Sequence, residues 1–351
     1  MTGEFQRGVA GVAVMLLFAP VSAGLAQAKR VLRVPAEFPK VQTAIDSAKE
    51  GDTVLVAPGR YYENLVFKGQ NIVLASEFAR TGDRSTIART ILDGSRPAHP
   101  DSGAVVTIWR FEDSTAVVEG FTITGGTGTV WFDNKDKINF REGGGIIVDL
   151  SGPTIRNNII EGNVAIDKGK MLSAGGGGIR VGFAEPVIEK NLIRNNRGRY
   201  GGGVVLFHSA ATLRDNVITG NEGGEDFGGA GIWVVGHFSQ KLTNLIEHNT
   251  IAGNIGHADT TLPQGRRRIS GKGAGLHFGS SRAIFRNNII WGNMPDQVQN
   301  WGGTPPVITA SLVQGGFQGT GNIDIDPQFA DATYLVLKPG SPAKNYGARE
   351  K

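Results

Sequence analysis

One line of sequence recurs five times between residues 143 and 293, and it restricts the fold more than any other feature of the chain. Residues 143–163 read GGGIIVDLSGPTIRNNIIEGN and residues 201–221 read GGGVVLFHSAATLRDNVITGN. The other copies begin at residues 175, 228 and 273. Each holds a glycine cluster, a short β run, a small-residue turn, a second β run, an asparagine, an apolar pair and a further asparagine. The first asparagines are Asn158, Asn191, Asn216, Asn249 and Asn288; the second are Asn163, Asn196, Asn221, Asn254 and Asn293. Successive first asparagines lie 33, 25, 33 and 39 residues apart, so the period is near 25 and the excess is inserted sequence. The insertions are expected between the second asparagine and the next glycine cluster.

A unit of this size with three short strands and no helix predicts one coil of a parallel β-helix. Strands of successive coils then pair in parallel, about 4.8 Å apart. Ile146 and Val148, Ile179 and Val181, Val204 and Leu206, Ile232 and Val234, and Leu276 and Phe278 alternate and should point inward. Asparagine at a fixed corner can stack, each amide bonding the next. A ligand or glycosylation role for the asparagines is the competing reading, but recurrence in every coil suits architecture better. The composition agrees: glycine makes up 52 of 351 residues, which disfavours long helices. There is no cysteine, so neither disulfides nor thiolate metal sites are available.

The ends differ from the middle. Residues 9–19, VAGVAVMLLFA, follow Arg7 and precede Ala26-Gln27-Ala28, the layout of a secretory signal peptide. The expected mature chain is one domain over 29–349, secreted or periplasmic and without a membrane span. Residues 41–49, VQTAIDSAK, read as an amphipathic helix capping the N-terminal end of the solenoid. Residues 322–349, with Pro327, Pro339 and Pro342, suggest a closing segment that leaves the helix axis. The fold expected is all-β: a right-handed single-stranded parallel β-helix of roughly nine or ten coils.

Residues 39–74, PKVQTAIDSAKEGDTVLVAPGRYYENLVFKGQNIVL, resemble the opening of secreted right-handed parallel β-helix proteins, the pectate-lyase-like superfamily. The repeats resemble its generic coils, and residues 322–347, NIDIDPQFADATYLVLKPGSPAKNYG, are similar to a closing motif of a bacterial group of such proteins. The resemblance implies the fold across nearly the whole mature chain. Polygalacturonase-like members carry an Asp-Asp pair, and this sequence has no Asp-Asp dipeptide. The motifs around the paired catalytic aspartates of pectin methylesterases are not visible either. Pectate lyases use an acidic calcium cluster and a basic residue on varied motifs, so calcium stays open as a cofactor.

Alternation marks one residue per coil as facing outward behind each glycine cluster: Ile147, Arg180, Val205, Trp233 and His277. These are expected to floor a groove walled by the insertions at 127–142 and 255–272. Trp233 and Trp131 offer flat rings to sugar C–H faces. Arg180 suits a uronate carboxylate, His277 a proton transfer near neutral pH, and Arg268 in the Arg266-Arg267-Arg268 triplet a polyanion contact. Asp149, Glu225 and Asp226 are candidate calcium ligands if they converge. The function expected is recognition of an acidic polysaccharide by a monomer. If there is cleavage, it is β-elimination, with His277 or a lysine of an inserted loop as base and Arg180 as neutraliser. The alternative is a non-catalytic cell-surface or periplasmic scaffold. With a formal net charge of only +4, nucleic acid is not expected as a partner.

Overall fold

The computed structural model describes residues 28–348, except 134–136, 167–172, 237–242, 262–266, 268 and 303–304. The N-terminal segment read as a signal peptide, and Arg268, lie outside the described residues. Among those described, three long parallel sheets run the length of the molecule. Sheet 1 has ten strands, from Val31–Val34 to Val307–Thr309. Sheet 2 has nine, from Gly59–Tyr61 to Leu312–Val313, and sheet 3 has eight, from Leu65–Val66 to Val298–Asn300.

One coil shows the path. Val204–Phe207 lies in sheet 3, Thr212–Arg214 in sheet 1 and Val217–Thr219 in sheet 2. A short fourth strand, Glu222–Gly223, then joins a four-stranded sheet 4 before the chain re-enters sheet 3. The coil therefore has one strand more than the sequence pattern implied. The insertions also enter at two places, not one. Register pairs Val204 with Ile232, 28 residues on, and Thr212 with Leu245, 33 residues on, so five of that coil's eight extra residues fall in the turn between sheets 3 and 1 and three fall before sheet 3.

The alternating apolar residues enter a single continuous core, where Ile146, Val148, Val204, Leu206, Ile232 and Val234 are fully buried. Two columns of buried asparagine amides line its corners. Asn216 Nδ2 donates to Asn249 Oδ1 (2.9 Å) and to the Ile188 carbonyl (2.8 Å), while its Oδ1 accepts from Asn191 N and Nδ2 (both 3.0 Å). The second column runs likewise from Asn163 to Asn293 and ends on Gln297, whose Oε1 accepts from Asn293 Nδ2 at 2.7 Å. Each amide satisfies backbone groups that a sharp corner would otherwise leave buried and unpaired.

Near the N-terminal end a helix spans Val41–Ser47 and places Val41, Ala44 and Ile45 in the core. Its Gln42 amide meets the edge strand of sheet 3, donating to the Val66 carbonyl (3.1 Å) and accepting from the Val66 N–H (2.8 Å). Glu63 accepts the Val41 and Gln42 N–H groups at the helix start (2.9 and 3.0 Å). At the other end the chain packs along the outer face of sheet 2, with Leu335, Ala343 and Ala348 buried there. Among the described residues, no helix is long and apolar enough to cross a membrane.

Candidate functional site

Arg180, Val205, Trp233 and His277 stand on consecutive rungs of sheet 3 in the order expected. They do not floor an open groove. Arg180, Trp233 and His277 are 5%, 7% and 0% exposed. The cause is the glycine cluster itself. At its left-handed position the chain folds back over the outward side chain four residues on. A Cβ on Gly143 would lie 2.1 Å from Ile147, and one on Gly201 2.3 Å from Val205. Tyr200 and Phe227 complete the cover of Trp233, with ring centroids 5.0 and 6.5 Å from it.

Arg180 is engaged within the protein. Its Nε donates to Glu142 Oε2 (3.1 Å) and its Nη1 to Asp149 Oδ1 (2.5 Å). Burial opposes its charge, but Glu142 and Asp149 hold the guanidinium protonated above its ordinary range. The same Glu142 accepts from Trp131 Nε1 (2.8 Å) and from the Tyr200 hydroxyl. Trp131 belongs to an antiparallel hairpin, Gly128–Asp133 with Ile138–Glu142, and stacks on Phe140 at 4.7 Å. Arg180 and Trp131 thus do converge, with Arg180 5.6 Å from the indole centroid, but around a buried carboxylate. Removing one partner of such a pair would leave an uncompensated buried charge. His277 lies beneath Gly228, Gly229 and Gly273 with neither ring nitrogen hydrogen-bonded. Burial lowers its pKa from 6.5 to about 4. Covered in this way, the imidazole has no exposed atom to offer an external substrate.

The carboxylates considered for calcium do not converge. Asp149 pairs with Arg180, Glu225 with Arg197 (3.1 Å) and Asp226 with Arg199 (2.7 Å). Among the described residues, no group of three or more His, Asp or Glu side chains is placed to hold a metal.

Among the described residues, the more exposed surface lies two residues further along the same strands, at the corner of sheets 3 and 1. Register aligns Asp149, Gly182, Phe207, Val235 and Gly279, and Trp109 and Trp301 continue the row at either end. The next residue of each coil forms a second row, which includes Leu150, Phe183 and His208 at positive φ (52°, 48° and 48°). Phe111, with φ 66°, lies near the Trp109 end. Trp109, Phe111, Phe183 and Trp301 are 42%, 77%, 42% and 46% exposed. Phe183 stacks flat on His208 at 5.1 Å, and Phe207 meets the same imidazole edge-on at 4.3 Å. The Trp301 ring rests over Gly279, where an added Cβ would approach it to 3.2 Å. From Trp109 to Trp301 the row crosses six rung steps, roughly 29 Å.

Residues 104–254 match a family model described as a right handed beta helix region. The fold is a right-handed parallel β-helix. No curated protein matches the sequence. Among solved structures, it is similar to the pectin methylesterase from Aspergillus niger, at 13% identity over 93% of this chain and 98% of that one, TM-score 0.49. It is also similar to a mutant of the PL6 family alginate lyase AlyGC, at 14% identity over 91% and 56%, TM-score 0.29. A third is the family 28 exopolygalacturonase of Yersinia enterocolitica, at 13% identity over 85% and 76%, TM-score 0.23.

In this β-helix protein the sequence signal for the exposed row was present but small. Turns that elsewhere use glycine, as at Gly236 (φ 76°), carry Phe183 and Leu150 instead. A bulky apolar residue at a small-residue turn is the mark by which the row can be found.

Proposed function

We propose that this β-helix protein binds an extended polysaccharide along the row from Trp109 to Trp301. The observation that carries the reading is the placement of Phe111 and Phe183: large, exposed and at positive φ. Left-handed backbone costs a non-glycine residue roughly 1–2 kcal/mol, and an exposed phenyl ring contributes nothing to the core. Outliers of this kind gather at binding sites. Flat rings spaced along several rungs suit a chain of sugar rings, which present apolar C–H faces.

The polymer we favour is acidic. Arg110 stands exposed between Trp109 and Phe111 and forms no ion pair among the described residues. The chain's formal charge of +4 acts in the same direction over longer range. The proposal is of binding by a monomeric, exported protein. Cleavage by β-elimination has no support from Arg180 and His277, because both are buried. The non-catalytic binding scaffold is therefore preferred to the lyase.

Calorimetric titration of uronate and neutral glucan oligomers tests this. Trp301→Ala and Phe183→Gly are each expected to weaken uronate binding about five- to tenfold, near 1 kcal/mol. Equal affinity in native and variant proteins would refute the row as the site.

A further inference from the structure

A second concave site lies on another face. The outer side of sheet 2 carries one residue per rung: Thr122, Ile159, Leu192, Val217, Thr250 and Ile289 in register. Two separate segments cover this strip. The helix Ser85–Arg89 covers the first part, where Thr122 Oγ1 donates to the Ile87 carbonyl (3.0 Å). The C-terminal segment covers the last part, where the Ala348 N–H donates to Thr250 Oγ1 (3.2 Å). The two covers approach each other over Ile159, Leu192 and Val217, two rung steps or about 10 Å, and leave a narrow gap there; Leu192 and Val217 are each only 6% exposed and pack against Leu335 and Ala348 of the C-terminal segment. That gap is a cavity of about 310 Å³, walled by Ile87 on one side and Tyr334 and Val336 on the other. It is at the lower end of the size range of small-molecule sites.

The rim of this cavity is charged. Asn157, Lys190 and Asp215 follow one another at the corner, and Arg84 stands at the mouth. Two cations against one carboxylate give the rim a net positive charge. Arg84 forms no ion pair among the described residues; the adjacent Asp83 is turned to Ser85 (2.7 Å) and Arg89 (3.5 Å). An apolar floor and a positive mouth define a ligand with an apolar body and a single negative head.

We infer that this cavity binds a small amphipathic carboxylate, an aromatic ring or short alkyl chain lying on Ile159, Leu192 and Val217 with its carboxylate toward Arg84. The site is separate from the aromatic row and does not depend on the polysaccharide reading. Calorimetric titration of the full chain with phenylpropionate and octanoate, beside the neutral amide of phenylpropionate, tests it. Saturable binding of a carboxylate is expected, at least about tenfold tighter than the amide. Arg84→Gln, a change at an exposed side chain, should remove that preference. Val217→Trp should fill the cavity and abolish binding, while Phe183→Gly in the other site should leave it unchanged. Absence of saturable binding by both carboxylates overturns the inference, as does binding that Arg84→Gln and Val217→Trp leave intact.

Discussion

His277 stands in a covered column of sheet 3 and Phe183 in the turn just beyond the end of that sheet's strands, and their surroundings are opposite. His277 is apolar-packed and neutral, with its pKa lowered to about 4 by burial. The Lys272 backbone beside the ring works in the other direction, but burial is the larger effect. The unfolded chain therefore takes up this proton first as pH falls, near the ordinary value of 6.5. Stability due to neutral His277 is complete above that value and is lost progressively down to about 4. The loss should reach about 3 kcal/mol. Urea unfolding of native and His277→Leu proteins at several pH values checks this: the variant should lack the decline in that window. Phe183 has the reverse character. Phe183→Gly should leave stability within about 1 kcal/mol, because relief of the left-handed backbone offsets the added freedom of the unfolded chain. A large loss of stability in that variant would show Phe183 to be a packing residue.

At the scale of the coil, the asparagine columns hold corners where three strands turn. Asn216 is an interior rung, with both neighbours amides of the same kind. Asn216→Ala should cost about 1–3 kcal/mol, the penalty of leaving buried donors and acceptors unpaired. Ser311, the terminal member, only accepts from the Asn288 N–H (3.1 Å) and donates to the Thr309 carbonyl (2.9 Å), so Ser311→Ala should cost less. Thermal unfolding of the two variants measures the difference; equal losses would mean that the columns do not act as continuous ladders. These corners were legible because Asn recurs at a fixed spacing and the inward residues alternate beside it. The site was not. Alternation separates inside from outside only for a bare sheet, and it counted Arg180, Trp233 and His277 as exposed. The glycine corner covers the residue four positions on in its own coil, and Tyr200, Phe227 and the hairpin that brings Glu142 to Arg180 add cover from other parts of the chain. The glycine cluster recurs in the repeat, but the repeat period holds no trace of the added contacts.

At the scale of the whole molecule, a solenoid buries its core coil against coil, and what lies outside is set by whichever segments fold back over it. The C-terminal segment does this for sheet 2. Phe329, Leu335, Leu337, Ala343, Tyr346 and Ala348 pack against Leu192, Val217, Ala252, Ile289, Trp291 and Leu312. Few backbone bonds tie it down, among them the Gly347 N–H to the Asn287 carbonyl at 2.8 Å. Its attachment is thus mainly hydrophobic, at roughly 1.5–3 kcal/mol for each large side chain fully buried. Ordering the segment opposes this gain, at about 1–2 kcal/mol per residue. The net effect on stability should therefore be modest and the effect on solubility large. A chain ending at Asp324 keeps the Ile323 bridge to Leu312 and Asn322, whose Oδ1 accepts from the Ser311 N–H at 3.0 Å, so the last coil stays closed. It loses the cover and bares a strip of parallel aliphatic side chains, the kind of patch that drives association. Circular dichroism should stay β-rich, while sedimentation should show concentration-dependent self-association absent from the full chain. A truncated protein that remains monomeric at the same concentrations would mean that the segment is dispensable to the outer face of sheet 2.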